Sequence, residues 1–344
     1  MRALLLTFWL SLGLSHTDET SADTAADPAA RNNLVNNPVA IVIHGGAGTI
    51  RREKLNPDTE AAYRSSLTAA VTAGHEVLEA GGSSREAVIA AILVMEDSEL
   101  FNAGYGAVVN HEGDAELDAS IMVGGDLSAG AVAGVRHIRN PILLADRVMT
   151  HSRHVMLIGS GAEEFAMEQG FEKVSNDYFK TERRLEQLQR LQQRDQVSLS
   201  EADDKFGTVG AVALDQQGVI AAGTSTGGMT NKRYGRVGDS PIIAAGTYAD
   251  SHCGVSATGH GEYFIRAAVA HDICARVRYQ GVSLAEAGEA VINGKLVEMG
   301  ADGGVVGLDA AGNIVMPFNT TGMYRASIDR AGILMTGVFA EEGE

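Results

Sequence analysis

Apolar positions fall along this chain in blocks of very different texture. Residues 3–14 (ALLLTFWLSLGL) are almost continuously apolar, behind a single charge at Arg2. Twelve residues are too few to cross a ~30 Å hydrocarbon layer as a helix, but they fit the apolar region of a secretory signal. Gly13 and Ser15 supply the small residues for a cut near Ser15-His16. Residues 16–37 are polar, acidic and rich in Thr, Ala and Asn, so we read 16–38 as a flexible tether. The folded part then begins with the β-branched run VAIVI at 39–43, a buried strand that stops at the tight loop HGGAG, 44–48.

Two helices follow. One covers 57–80 and ends at Gly81-Gly82; the other, 84–97, opens on the capping signal Ser84-Arg85-Glu86. A Gly-rich region, 102–138, carries short apolar segments at 119–123 and 131–135, and helical spacing returns at 141–150 and 162–170. From about 177 to 207 the chain becomes charged and Gln-rich (TERRLEQLQRLQQRDQVSLSEADDK at 181–205). With so little apolar face, that stretch is expected to be a mobile surface linker. After Phe206 the period shortens to two. Strands at 208–214 and 219–222 around the turn DQQG form a hairpin, and a second hairpin is expected at 304–316 around DAAG. Helices at 262–279 and 283–299 lie between the two hairpins. Hairpins imply antiparallel sheet, and the helices must cover its faces, so the fold class is α+β.

Composition narrows the function. The 344 residues carry 27 Lys+Arg against 44 Asp+Glu, a net charge of −17. That balance argues against nucleic-acid and anionic-membrane partners, which need clustered cations. The 41 glycines are about 12% of the chain against an average near 7%, which points to tight turns and close backbone approaches. Cys253 and Cys274 are too few for a disulfide framework or a four-Cys zinc site, and the ten histidines show no H-E-x-x-H spacing.

Several short motifs carry little. Gly223-Thr-Ser-Thr-Gly227 matches the G-x-S-x-G elbow, with Ser225 as nucleophile, but 228–232 is a poor helix start. Gly294-Lys295 lacks the rest of a phosphate loop, and His260-Gly-Glu262 lacks the Pro-Cys-x-x-Cys partner of a zinc deaminase. His44, ahead of two glycines, is read as a structural histidine. Gly207-Thr208 stands where a charged segment ends and a hairpin begins. A cut between them would give Thr208 both a hydroxyl and a free α-amine. Such an amine has a pKa of about 7.7–8.0 and can serve as a general base beside its own nucleophile. Gly207 tolerates the strained dihedrals that such a cut requires.

TVGAVALD at 208–215, TSTGGMTNK at 224–232, GRVGDSP at 235–241 and ATGHGE at 257–262 resemble the plant-type asparaginase/isoaspartyl peptidase family of N-terminal-nucleophile hydrolases. HGGAG at 44–48, LFNAGYG at 100–106 and PFNTTGMYR at 317–325 resemble its outer motifs. The resemblance covers residue 39 to the C-terminus apart from the linker. It implies an αββα sandwich of two stacked, mainly antiparallel sheets, and self-cleavage at Gly207-Thr208. An α chain (39–207) and a β chain (208–344) would then assemble as a heterotetramer, two of each.

The resemblance also assigns roles. Thr208 would be the nucleophile and Thr226 the hydroxyl that orients it, with Asn102 nearby. Arg236, Val237, Gly238 and Asp239 would form the substrate loop, Arg236 holding the α-carboxylate and Asp239 the α-ammonium. Thr258 and the Gly259 amide would make the oxyanion hole, with His260 and Gly261 completing the substrate site. Carbonyls of Met95, Glu96, Ser98, Phe101, Ala103 and Tyr105 would hold a structural Na⁺ or K⁺. No organic cofactor is implied. The expected activity is cleavage of β-aspartyl (isoaspartyl) dipeptides and deamidation of L-asparagine, in an exported, periplasmic protein. Two rival readings make different predictions. A serine hydrolase would depend on Ser225 in an uncut chain, and an exported amino-acid-binding protein would bind without turnover.

Overall fold

In a computed structural model, which describes residues 38–195 and 207–340, the first β-branched run is longer than its apolar part. Strand β1 spans Ala40–Gly48 and passes through the glycines instead of ending at them. It does so by a bulge: pairing to its neighbour is regular up to His44, shifts, and resumes at Gly46, which has φ +113°. Only glycine adopts that conformation without strain.

The remaining strands are β2 (Leu117–Val123), β3 (Ala129–Val135), β4 (Met156–Ile158), β5 (Val209–Leu214), β6 (Ile220–Thr226), β7 (Thr247–Ala249), β8 (Cys253–Gly259), β9 (Gly303–Asp309), β10 (Ile314–Val315), β11 (Gly322–Ile328) and β12 (Leu334–Phe339). They form an eight-stranded sheet in the order β12-β11-β1-β5-β6-β2-β3-β4 and a four-stranded sheet in the order β10-β9-β8-β7. Among the described residues every pairing between these strands is antiparallel except β3 with β4. The two expected hairpins are β5–β6 and β9–β10.

The helices are α1 (Pro57–Glu79), α2 (Ser84–Glu96), α3 (Pro141–His151), α4 (Gly159–Glu168), α5 (Glu182–Asp195), α6 (Gly261–Ala267), α7 (Val269–Ala275), α8 (Leu284–Glu289) and α9 (Leu296–Glu298). Helix α2 is capped one residue earlier than the sequence suggested, by Ser83 in a reciprocal pair with Glu86. The helix expected at 262–279 is broken at Ala268, which takes a left-handed φ of +49°. Beyond the break, Ala270 and His271 donate their N–H groups to the carbonyls of Ala245 and Ala244. Tertiary partners thus replace intrahelical ones.

Strand alternation assigns each face to a layer. Ile41, Ile43, Val209 and Ala211 face a core shared with α1 to α4, while Val42, Val212, Ala222 and Leu308 fill the space between the sheets. A third core packs the small sheet against α6 to α9 through Val255, Phe264, Ile273 and Val291. Helices, sheet, sheet and helices make the αββα sandwich implied by the resemblance. A disulfide, Cys253–Cys274, ties β8 to α7 (Cα–Cα 5.6 Å). Two cysteines do not make a framework, but they do make this one clip.

The charged stretch departs most from expectation. Instead of a linker starting near 177, Phe179 is buried and 182–195 is helix α5. Its inward stripe is Arg184, Gln187, Leu188 and Leu191, spaced i, i+3, i+4, i+7. Two of the four are polar, which hid the stripe from a search for apolar residues. Arg184 donates to the Gly106 carbonyl at 2.7 Å and to Gln187 Oε1 at 3.1 Å. The rest of the expected linker, 196–206, lies outside the described residues, as do the expected signal and nearly all of the tether.

Candidate active site

Thr208 immediately precedes β5, which lies in the middle of the large sheet between β1 and β6. Because β5 and β6 are antiparallel, the start of one lies beside the end of the other, and this brings Thr208 to Thr226. The Thr208 hydroxyl donates to Thr226 Oγ1 at 3.1 Å and lies 3.4 Å from Ser240 Oγ. Thr226 also accepts from the Gly228 N–H at 2.9 Å, which fixes its rotamer. The end of β8 in the small sheet brings in Thr258, whose Oγ1 accepts from the Ala47 N–H at 3.3 Å. The β1 bulge closes the same corner, since a Cβ on Gly46 would stand 2.6 Å from the Gly207 Cα. Gly207, Thr208, Thr226, Arg236, Gly238, Asp239, Thr258, Gly259 and His260 line one pocket.

The pocket has a charged wall. Arg236 donates through Nε and Nη2 to Glu262 at 2.8 and 2.9 Å. These bonds hold the Glu262 carboxyl down at about 2 and leave the Nη1 side of the guanidinium beside Gly238. Asp239 is buried, and its Oδ2 has no hydrogen-bond partner among the described residues. Burial pushes its carboxyl up to about 7, against the pull of Arg236. An orphaned carboxylate oxygen in a pocket wall is what an ammonium ligand would satisfy. A Cβ on Gly261 would sit 2.8 Å from Arg236 Nη2 and 3.0 Å from Asp239 Oδ1, so this glycine keeps the space between them clear. His260 stands at the rim, 3.3 Å from Glu262 and edge-on to Tyr263.

Three of the expected catalytic and substrate-site residues are not among those lining the pocket: Gly261, which stands beside Arg236 and Asp239, Val237 and Asn102. Val237 is half-buried. Asn102, expected near the nucleophile, lies one layer back. Its amide donates to the Gly228 carbonyl at 2.8 Å, its Oδ1 accepts from Val108 N–H at 2.8 Å, and its own carbonyl accepts from Gly227 N–H at 3.2 Å. It braces the loop that follows Thr226. Conversely, Ala47, Leu191, Met229, Thr230 and Ser240 line the pocket without having been picked out. For Ser240 the signal was its place next to Asp239. Leu191 was hidden with the rest of α5.

Ser225 faces the wrong way for a nucleophile. Period-two alternation turns Thr224 and Thr226 into the space between the sheets and Ser225 toward the helices. There its hydroxyl donates at 2.6 Å to the buried carboxyl group of Glu96, whose pKa burial pushes up to about 8. Ser225→Ala is therefore expected to keep turnover while losing about 1–3 kcal/mol of stability, because a buried carboxyl oxygen loses a donor. Thermal melts and kcat measured on the same sample test this, and loss of turnover in a folded variant would point to Ser225.

The loop after α2 was expected to hold a cation with its carbonyls. A Cβ on Gly106 would stand 2.6 Å from the Ser98 carbonyl oxygen and would also run into that of Phe101, and a Cβ on Gly104 would crowd that of Glu96. These three oxygens therefore face bare glycine backbone, the kind of donor set a hard monovalent cation takes. The carbonyls of Met95 and Ala103 already accept hydrogen bonds from Ser98 and Gly106.

With the threonine corner and its charged wall in place, comparison with known proteins decides the family. The profile of the Asparaginase family (Asparaginase_2) matches residues 37–338. The chain belongs to this family. It is similar to the isoaspartyl peptidase of Escherichia coli K12, at 49% identity over 311 residues, covering 88% of this chain and 97% of the relative. It is likewise similar to the isoaspartyl peptidase of Salmonella typhimurium, at 47% over 312 residues, 89% of this chain and all of the relative. The isoaspartyl peptidase/L-asparaginase of Mus musculus is 40% identical over 301 residues, 87% of this chain and 90% of the relative. Membership of the family fits a hydrolase with the N-terminal-nucleophile sandwich described above.

Proposed function

We propose that this protein is a threonine hydrolase that cleaves β-aspartyl dipeptides and converts L-asparagine to L-aspartate and ammonia. The observation that carries the reading is Thr208, which stands at the head of β5 with its hydroxyl on Thr226 and the pocket open in front of it. While a peptide bond joins Gly207 to Thr208, the Thr208 nitrogen is an amide and has no basicity. Self-cleavage would release it as an amine. That amine would take the Thr208 hydroxyl proton as Oγ attacks the substrate side-chain carbonyl, and would pass it to the leaving nitrogen. Ammonia or an amino acid departs, leaving a β-aspartyl ester on Thr208. Water then hydrolyses the ester and restores the hydroxyl.

Thr258 and Gly259 line the same pocket as Gly207 and Thr208, and in this reading the Thr258 hydroxyl and the Gly259 amide would hold the oxyanion. Arg236 and Asp239 would take the α-carboxylate and α-ammonium of the aspartyl residue. Recognition of both α-groups favours β-linked over α-linked peptides, in which the α-carboxylate is tied up in the scissile bond.

In the same reading the α and β chains assemble as two of each, and carbonyls among those of Met95, Glu96, Ser98, Phe101, Ala103 and Tyr105 would hold a Na⁺ or K⁺ that stiffens the 98–106 loop. The protein would work outside the cytoplasm, in the periplasm. The apolar segment at residues 3–14 supports that placement, and so does the Cys253–Cys274 clip, because disulfides persist in oxidising compartments. The test is a side-by-side assay of L-asparagine, a β-aspartyl dipeptide and its α-linked isomer. Hydrolysis of the first two alone supports the reading. Binding without turnover would favour an amino-acid-binding protein, and equal cleavage of both isomers would remove the assigned roles of Arg236 and Asp239.

A further inference from the structure

His44 is fully buried in β1, with its side chain in the space between the two sheets. Its Nδ1 lies 3.0 Å from the carbonyl oxygen of Thr208, and its Nε2 lies 2.9 Å from Ser256 Oγ. A carbonyl can only accept, so Nδ1 carries the hydrogen and Nε2 the lone pair. Ser256 must then donate to Nε2, which makes its oxygen the acceptor for Thr224 Oγ1 at 2.7 Å. Thr224 in turn accepts from Thr247 Oγ1 at 2.5 Å. Backbone carbonyls of Gly223, Gly246 and Ser240 lie 3.1, 3.2 and 3.3 Å from the Ser256, Thr224 and Thr247 hydroxyls, but the shorter side-chain contacts and the bare Nε2 favour one direction, in which the chain of donors ends on the Thr208 carbonyl. The strand opposite His44 presents Gly210, where a Cβ would collide with both the imidazole and Ser256. The backbone is kept bare so that the imidazole can reach through.

We propose that His44 is a positioning residue for the nucleophile: its Nδ1–H, held in that tautomer by Ser256, grips the Thr208 carbonyl and sets how the amine and hydroxyl of Thr208 face the substrate. The proposal rests on the reading of Thr208 as nucleophile. In the intact chain Thr208 is held by peptide bonds on both sides. Once Gly207 is cut away, what fixes it is Val209, the contacts of its own hydroxyl, and His44. Burial also holds the imidazole neutral, with its pKa pushed down to about 3, so it does not compete for the proton that the amine moves. Misplacing a reacting group by about 1 Å costs on the order of 10²-fold in rate, so a lost grip is read in kcat.

The test uses the full chain carrying His44→Phe, His44→Asn or Ser256→Ala, beside wild type. It reads the rate of cutting at 207–208, and kcat and KM on L-asparagine per cut chain. In His44→Phe, kcat is expected to fall about 10²-fold with KM little changed. His44→Asn can present an amide N–H to the same carbonyl and should recover most of that loss. Ser256→Ala, which frees the tautomer, should fall between the two. Cutting should follow the same order, because the same hydroxyl attacks the Gly207 carbonyl, so an uncut His44→Phe beside a cut His44→Asn also supports the proposal.

Equal damage in the Phe and Asn variants, or wild-type kcat in both His44→Phe and Ser256→Ala, overturns it and leaves His44 a packing residue. An acid limb of the pH profile that moves in His44→Asn overturns it in favour of a proton-transfer role. Nitrogen-15 NMR gives an independent readout: the Nδ1–H tautomer, unchanged between about pH 5 and 9, is expected, and Nε2–H would contradict it. Wild type separates this from the parent reading. A wild type that neither cuts nor turns over refutes the role of Thr208 itself, whereas an active wild type with unaffected variants refutes only the role of His44.

Discussion

Thr208→Ala remains a single chain on long incubation and loses hydrolysis of L-asparagine and β-aspartyl dipeptides by at least about 10⁴-fold, the scale seen when a covalent nucleophile is removed. The variant should fold, because Thr208 is a small residue at a strand entry and its loss removes only the hydroxyl contacts to Thr226 and Ser240. Both effects have one cause. The hydroxyl that attacks substrate is also the one that attacks the Gly207 carbonyl, and without the cut no amine exists to act as base. Thr208→Ser separates the two, because it keeps the hydroxyl and should be cut and active at a reduced rate. Electrophoresis and an ammonia assay read all three proteins. Turnover in Thr208→Ala would end the account.

The second large effect lies in the charged wall. Asp239→Asn should still cut itself at 207–208, since the cut needs no substrate ammonium, but its kcat/KM should fall by about 10²- to 10³-fold. Removing one partner of a desolvated charge pair costs a few kcal/mol. The sign of the pH effect follows from burial. The Asp239 carboxyl is pushed up to about 7 in the empty site, and a bound ammonium would pull it back down. Wild-type kcat/KM, which reports the free enzyme, should therefore fall as pH drops through 7, while kcat, which reports the complex, falls less. Folding stability gives a second reading. The unfolded carboxyl ionises near pH 4 and the folded one near 7, so the penalty is absent below about 4, grows between 4 and 7, and is constant above. Asp239→Asn should thus melt higher than wild type at pH 8, by less at pH 5, and close to it at pH 4. A flat difference across that range would mean that Asp239 is ionised in the empty site.

What the sequence disclosed follows from where each signal lives. The strands and helices of the sandwich were readable because their faces obey simple periods, as in β5–β6 and α1, and Thr208 stood out because a charged stretch ends beside it. Helix α5 was missed because Arg184 and Gln187 fill half of its inward stripe and bury themselves through hydrogen bonds to a partner 78 positions away in one case, Gly106. The continuation of β1 through Gly45 and Gly46 was missed for a related reason. Glycines normally end strands, and only the bulge and the approach of Gly207 show why they are needed here. Val237 came with the Arg236–Asp239 loop that the resemblance implied, and it is not among the residues lining the pocket. His44 could be read as structural but not as touching Thr208, since that contact joins residues 164 positions apart.

The most direct test of the central claim is the intact mass and N-terminal sequence of the purified protein. The account predicts two chains, one of them beginning at Thr208. A single chain that stays uncut, yet hydrolyses L-asparagine, would contradict it.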